Sequence, residues 1–305
     1  MVDGRYVNID GVSTRYVVEG QGPPVLLIHG FGEFLEVWGY NIAPLSEHFT
    51  VYALDLPGHG LSEEPRAEYT LDYAARFVTD FMKTLEIEHA SLVGHSLGGL
   101  LCLKVAIDFP EKVDKLVLVD SAGLSKEAPL IYRLAILPVL GKAILKPTLK
   151  TLIKHGMKKG FYKPETIARD WVDLSYKYLK MPKLKRTLWN LIRSNASIDG
   201  LNPELIVTDK LHLVRPPTLL IHGAQDQVIP VEYARLACKL IPNVKCEVID
   251  GCGHCPHIEK AAQFNDLVVA FLRASEPAKK EPSENKRQYD QCKTAEIQIG
   301  TEYEA

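Results

Sequence analysis

Six short runs of uninterrupted apolar residues constrain this chain more than any other feature. They are Val25-Leu26-Leu27-Ile28, closed by His29-Gly30; Thr50 to Leu54, closed by Asp55; Ser91-Leu92-Val93; Leu116 to Val119; Thr218 to Ile221; and Cys246 to Ile249. A strand without polar alternation is buried on both faces, which happens where helices cover a parallel sheet on each side. The intervening segments supply those helices. Thr70 to Leu85 carries Leu71, Ala74, Ala75, Phe77, Val78 and Phe81 at helical spacing, and Leu97 to Phe109 is apolar up to Pro110, where a helix must stop. Val231 to Leu240 and Ala261 to Leu272 read as two late helices. Near the N-terminus, Tyr6 to Ile9 and Ser13 to Val18 flank Asp10-Gly11, a hairpin signature. The expected class is α/β, with a mostly parallel sheet.

The 305 residues suit one large α/β domain, or one domain carrying an inserted subdomain. The strand–helix alternation breaks after Gly123. Residues 124–210 have helical but not strand-like patterning, cut by Pro138, Pro147, Pro164 and Pro182. This predicts a core of residues 1–123 and 211–273 and a helical cap of 124–210. The polar, charged residues 274–305 read as a disordered tail. The cap segment holds 17 Lys and Arg against 7 Asp and Glu, whereas the rest holds 19 against 31. Leu130, Leu134, Leu137 and Leu145 make it apolar, and Lys142, Lys146, Lys150, Lys154 and Lys158 stud it. Such a stretch can roof an apolar acyl pocket or rest on an anionic membrane surface. The net charge of −2 gives no reason to expect a nucleic-acid partner.

Six cysteines are present, Cys102, Cys238, Cys246, Cys252, Cys255 and Cys292, and Cys102 reads as a small core residue. The opening MVDGRYVNIDG has no apolar core of a secretory signal, and no apolar run approaches the length of a membrane span. The expectation is a cytoplasmic protein with reduced thiols. The sequence sets no oligomeric state.

The chemistry concentrates in Gly94-His95-Ser96-Leu97-Gly98, which directly follows an apolar strand and precedes an apolar helix. A sharp strand-to-helix turn strains its central residue and demands small neighbours, here Gly94 and Gly98. It lifts the Ser96 hydroxyl clear of the sheet, above a helix N-terminus that favours developing negative charge. The Leu97 N–H is then the natural oxyanion donor. A serine needs a base, and His254 follows the last strand in Gly251-Cys252-Gly253-His254-Cys255-Pro256-His257. The base needs a carboxylate, and Asp226 closes Ile221-His222-Gly223-Ala224-Gln225-Asp226 beyond the preceding strand. His29-Gly30-Phe31-Gly32 offers the second oxyanion donor, the Phe31 N–H, because Gly30 and Gly32 allow close backbone approach. Asp120, in Val119-Asp120-Ser121, is a reserve acid at another strand end. His29 is expected to brace the oxyanion loop, His95 to pack under the turn, and Asp55 and His59 to order the loop after their strand.

These motifs, HGFG at 29–32, DLPGHGLS at 55–62, GHSLGG at 94–99, GAQDQVIP at 223–230 and GCGHCPHIE at 251–259, make the chain resemble the α/β-hydrolases over residues 5–273. The resemblance implies an eight-stranded, mostly parallel sheet, a helical cap after the sixth strand, and the triad order Ser96, Asp226, His254. It points to the serine-nucleophile branch, both esterase- or lipase-like and meta-cleavage-product-hydrolase-like. Dehalogenases and epoxide hydrolases of this fold place aspartate where Ser96 stands. Meta-cleavage-product hydrolases usually carry Asn before the nucleophile and Trp after the base, where this chain has His95 and Cys255. The expected activity is therefore cleavage of carboxylic esters with an apolar acyl group through an acyl-enzyme, without cofactor or metal. The alternatives are carbon–carbon bond hydrolysis and, in another class, a catalytically silent binding protein. Cys252 and Cys255 have C-x-x-C spacing but no second ligand pair, so a metal site is not expected, and oxidation beside the base is the more pertinent question.

Overall fold

A computed structural model describes residues 4–124, 159–166, 169–197 and 200–274. The lysine-studded stretch from Leu130 to Lys158, the expected tail beyond Ala274, and Cys292 lie outside the described residues. Eight strands form one sheet: β1 (Arg5–Ile9), β2 (Val12–Glu19), β3 (Pro24–Ile28), β4 (Thr50–Leu54), β5 (Ala90–His95), β6 (Val113–Val119), β7 (Thr218–Gly223) and β8 (Val244–Ile249). Their spatial order is β1-β2-β4-β3-β5-β6-β7-β8. The first two strands form the expected hairpin through Asp10-Gly11, with Ile9 opposite Val12, and β2 pairs antiparallel with β4. From β4 to β8 every pairing is parallel.

The apolar runs serve two cores because successive side chains leave opposite faces of a strand. Leu26, Ile28, Leu92, Leu116, Leu118 and Leu220 point to one, with residues of α2 (Leu71–Thr84), α3 (Leu97–Asp108) and α6 (Val231–Leu240). Val25, Leu27, Val93, Val117, Val119 and Ile221 point to the other, shared with α1 (Ile42–Ser46) and α8 (Ala261–Arg273). Helix α2 starts where Thr70 caps it, its side chain accepting the Tyr73 N–H at 3.1 Å. It buries Ala75, Val78, Phe81 and Met82 along one face. The last run departs from two-faced burial. β8 is the edge strand, and of its six residues only Ile249 is buried, since one side has no neighbouring strand to cover it.

The thiol expectation also needs correction. Cys238 on α6 and Cys246 on β8 form a disulfide, their Cα atoms 6.3 Å apart. The short link from α6 to β8 folds the helix back along the edge strand and brings the two side chains together. Cys102, Cys252 and Cys255 are free and buried. No helix among the described residues is long and apolar enough to cross a membrane.

Within 124–210, the described residues form α4 (Arg169–Leu179), α5 (Pro182–Asn195) and a small antiparallel ribbon of Ala196–Ser197 with Gly200–Leu201. A buried charge network docks these helices on the sheet. Arg15, 1% exposed, reaches Glu36 at 2.9 Å and Asp55 at 3.3 Å. The Tyr178 hydroxyl of α4 joins the same network, accepting from Arg15 at 3.1 Å and donating to Glu36 at 3.0 Å. A buried guanidinium is tolerable only when paired and hydrogen-bonded. Lys183 donates to the Ser62 carbonyl at 2.7 Å, and Tyr69 meets Thr187 at 3.1 Å. Leu205, Val207 and Leu211 pack into the first core, so the return toward β7 rests on the sheet.

Candidate active site

Ser96 lies between β5 and α3 with φ 51° and ψ −115°, a left-handed conformation that costs a non-glycine residue about 1–3 kcal/mol. Backbone bonds on three sides hold it there. Ser96 N–H donates to Val119 O at 2.9 Å, and Ser96 O accepts from Ala122 N–H and Gly99 N–H, both at 3.0 Å. The flanking glycines are demanded by close approach. A Cβ on Gly94 would strike the Gly98 carbonyl and lie 2.6 Å from Cys102 Sγ; one on Gly98 would strike the Ile28 carbonyl and lie 2.7 Å from His29 O. Gly98→Ala is therefore expected to lower folding stability by about 3 kcal/mol or more, read as a lower urea midpoint, because backbone cannot yield as a flexible side chain does.

His254 stands on the loop after β8 and is 7% exposed. Its Nδ1 is 2.7 Å from Asp226 Oδ2. The other Asp226 oxygen accepts the N–H groups of Val228 at 2.7 Å and Ile229 at 3.0 Å. Burial alone would raise the Asp226 carboxyl, but the nearby His254 and His222 rings and the Ile229 amide outweigh it, holding its pKa down at about 2. The His254 loop is tied on both sides. His254 N–H donates to Gly160 O at 2.8 Å. Glu259, in the short helix α7 (Pro256–Glu259), accepts Gly253 N–H at 2.8 Å and Tyr162 N–H at 2.7 Å.

His95 does more than pack under the turn. Its Nε2–H donates to the His254 carbonyl at 2.8 Å, and its Nδ1 is 2.9 Å from Glu33 Oε2. Glu33 also accepts the Gly30 N–H at 2.6 Å. Burial opposes charge on both groups, but their mutual attraction raises the His95 pKa and lowers that of Glu33. The result is an imidazolium–carboxylate pair that joins three loops, those carrying Gly30, Ser96 and His254. Glu33 immediately follows HGFG, and its acidic side chain was the one available signal. Its partner is 62 residues away, so spacing could not reveal the pair.

His29 braces its loop as expected. Its Nδ1–H donates to Gly30 O at 2.8 Å, and its Nε2 accepts Leu56 N–H at 3.0 Å, which sets the tautomer. Asp55 orders its loop by accepting Leu35 N–H and Leu61 N–H, each at 2.8 Å. His59 donates to Pro57 O at 3.1 Å, and burial lowers its pKa to about 3. Phe31 and Leu97 are both partly exposed beside the site. Leu188 of α5 stands over Gly32 and gives the oxyanion loop an apolar roof.

Asp120 lies near Asp226. Its Oδ1 accepts Gly223 N–H at 3.0 Å, and His222 Nε2 is 3.6 Å from this oxygen and 3.5 Å from Asp226 Oδ2. The carboxylate bonded to His254 is Asp226. Burial pushes the thiols of Cys252 and Cys255 well up, so neither presents a ready thiolate for oxidation beside His254. Among the described residues, two groups have donor atoms close enough to surround an ion, Glu33–His95–Cys255 and Asp120–His222–Asp226. In each, the key atoms are engaged: Glu33 and His95 with each other, and Asp226 with His254.

A strained serine at a strand-to-helix elbow, with a histidine–aspartate pair on the following strand ends of a mostly parallel sheet, defines a hydrolase of the α/β type. The comparisons agree. A family model described as the alpha/beta hydrolase fold matches residues 23–261. A Mycobacterium tuberculosis protein, itself uncharacterized, is 32% identical over 285 residues, covering 90% of this chain and 82% of its own. The 2-hydroxy-6-oxo-6-(2'-aminophenyl)hexa-2,4-dienoic acid hydrolase of Metapseudomonas resinovorans is 33% identical over 274 residues, covering 88% and 90%. Among solved structures, a serine hydrolase involved in carbazole degradation has a TM-score of 0.73 at 31% identity, covering 88% of this chain and 98% of that one. A meta-cleavage product hydrolase has a TM-score of 0.76 at 28% identity, covering 89% and 98%. This chain belongs to the α/β-hydrolase fold family.

Proposed function

We propose that the chain is a serine hydrolase cleaving carboxylic esters through an acyl-enzyme. The observation that carries this reading is the 2.7 Å bond between Asp226 and His254, on a loop held by His95, the residue preceding Ser96. Ser96 Oγ attacks the ester carbonyl while His254 Nε2 takes its proton. Asp226 accepts the Nδ1–H and stabilises the imidazolium. The N–H groups of Leu97 and Phe31 hold the tetrahedral oxyanion. Glu33 accepts the Gly30 N–H at 2.6 Å and so fixes the start of the loop that carries Phe31. His254 returns its proton to the departing alkoxide, which releases the alcohol. It then takes a proton from water as that water attacks the acyl-enzyme, and returns the proton to Ser96 Oγ as the acid departs. Every group is supplied by the chain, so the mechanism needs no cofactor. The Leu188 roof over Gly32 suits an apolar acyl group.

A second reading, carbon–carbon bond hydrolysis, is supported by the relatives named for dienoic acids. Against it stand His95 and Cys255, where those enzymes usually carry Asn and Trp; here His95 is committed to Glu33 and the His254 carbonyl. The silent-binding reading is disfavoured because the full triad is retained.

The test is turnover of p-nitrophenyl esters from acetyl to palmitoyl by the wild type. A preference for short or medium chains supports an esterase with an enclosed pocket. A preference for long chains, activated by anionic vesicles, supports a lipase that docks through its basic stretch. Cleavage of a 2-hydroxy-6-oxo-dienoate with no ester turnover would replace the ester reading by the second.

A further inference from the structure

The reserve carboxylate at the end of β6 is not idle. We propose that Asp120 is a positioning residue of the triad acting as a neutral carboxylic acid, its Oδ2–H donating to the Asp226 carboxylate and steadying it against His254. The role rests on the reading of Ser96, Asp226 and His254 as a triad.

The argument begins with burial and donors. Asp120 is fully buried, and its Oδ1 accepts one bond, from Gly223 N–H at 3.0 Å. Its Oδ2 is buried and, among the described residues, accepts from no donor. His222, the cation candidate nearest to it, does not fill that need. Its Nε2–H is spent on Ile229 O at 2.9 Å, and burial disfavours a second proton on the ring. Among the described residues, the other titratable groups facing Asp120 are Asp226, Glu259 and the thiols of Cys252 and Cys255, whose pKa burial raises, while the His254 ring is bonded to Asp226. Two carboxyl groups that share one buried site cannot both ionise cheaply.

One of the pair must therefore hold a proton, and donor placement decides which. Asp226 accepts from Val228 N–H, Ile229 N–H and His254 Nδ1, three donors that favour its charged form. Asp120 has, among the described residues, only the Gly223 amide. Burial and the neighbouring negative charge accordingly push the Asp120 carboxyl well up. A protonated Asp120 satisfies its own free oxygen and adds a donor to the triad acid without adding charge. Its backbone is held for the purpose: φ is 42°, and its N–H donates to Ile221 O at 3.0 Å, which turns the side chain in between β6 and β7.

The experiment compares the wild type with Asp120→Ala and Asp120→Asn at pH 7, using three readouts. These are the infrared carbonyl stretch of a protonated carboxyl group, the rate at which a phosphonate labels Ser96, and kcat and KM on a p-nitrophenyl ester. The infrared band is expected in the wild type and absent from Asp120→Asn. Asp120→Ala is expected to lower both kcat and the labelling rate about tenfold or more with little change in KM. Asp120→Asn should recover most of that loss, because its amide NH2 also donates to Asp226. The proposal is overturned if no band is lost, or if Asp120→Ala reacts at the wild-type rate, or if Asp120→Asn is as slow as Asp120→Ala. Should the alanine variant fail to fold, the band and the asparagine variant still decide. A wild type that is labelled but cleaves no ester ends the ester reading alone; a wild type that is not labelled removes the triad on which the role rests.

Discussion

Replacing Ser96 by alanine is expected to lower kcat on a cleavable ester by roughly 10⁵- to 10⁶-fold, with KM little changed, and to abolish labelling by a phosphonate. Without its nucleophile the site keeps only its oxyanion donors and its binding surface, which retain a small residual rate over water. The fold should survive. The bonds that hold the elbow, from Ser96 N–H to Val119 O and from Ala122 and Gly99 N–H to Ser96 O, are all made by backbone and remain in the variant. The left-handed φ is as strained for alanine as for serine, so the thermal midpoint should stay within a few degrees of the wild type. Steady-state turnover and a melting curve on one preparation check both halves. Turnover near the wild-type rate in a folded Ser96→Ala protein would sink the acyl-enzyme mechanism.

Asp226→Asn should lower kcat by about 10⁴-fold, because an amide in place of the carboxylate favours the wrong His254 tautomer and leaves the imidazolium without its counter-charge. The same substitution tests an acid-stability effect. The folded-state pKa of Asp226 is held at about 2, below the ordinary carboxylate value of 3.8. A carboxylate whose pKa is depressed by folding stabilises the protein above its unfolded value. That contribution is present at neutral pH and is lost as the pH falls from about 4 through about 2. Urea midpoints measured from pH 2 to 5 should therefore rise more steeply with pH in the wild type than in Asp226→Asn. Parallel curves would show that the carboxylate gains nothing from its partners.

The core and the strand-end placement of Ser96, Asp226 and His254 were legible because their signals are local. Val25 to Ile28 and Leu116 to Val119 announce two-faced burial in four residues each, and the elbow announces itself through the small residues that a tight strand-to-helix turn requires. Asp226 and His254 were legible through their place after strand ends. β8 misled for a reason of position: an apolar run does not say which strand will be the sheet's edge. Cys238 and Cys246 misled in a similar way, since cysteine spacing carries no information about a helix folding back on its own strand.

What the sequence determined by itself was the parallel α/β sheet, the strand-end placement of Ser96, Asp226 and His254, and the glycines that admit the close approach of α3 to β3. Short-range sterics and strand-by-strand burial decide these. Only the tertiary structure decided the rest: that Glu33 pairs with His95 and through it grips the His254 loop, that Arg15 receives Tyr178 in a buried network, and that Asp120 lies against Asp226. These contacts join side chains far apart in the chain. Their energies arise from desolvation and pairing inside a shared interior, and only the folded chain creates that interior.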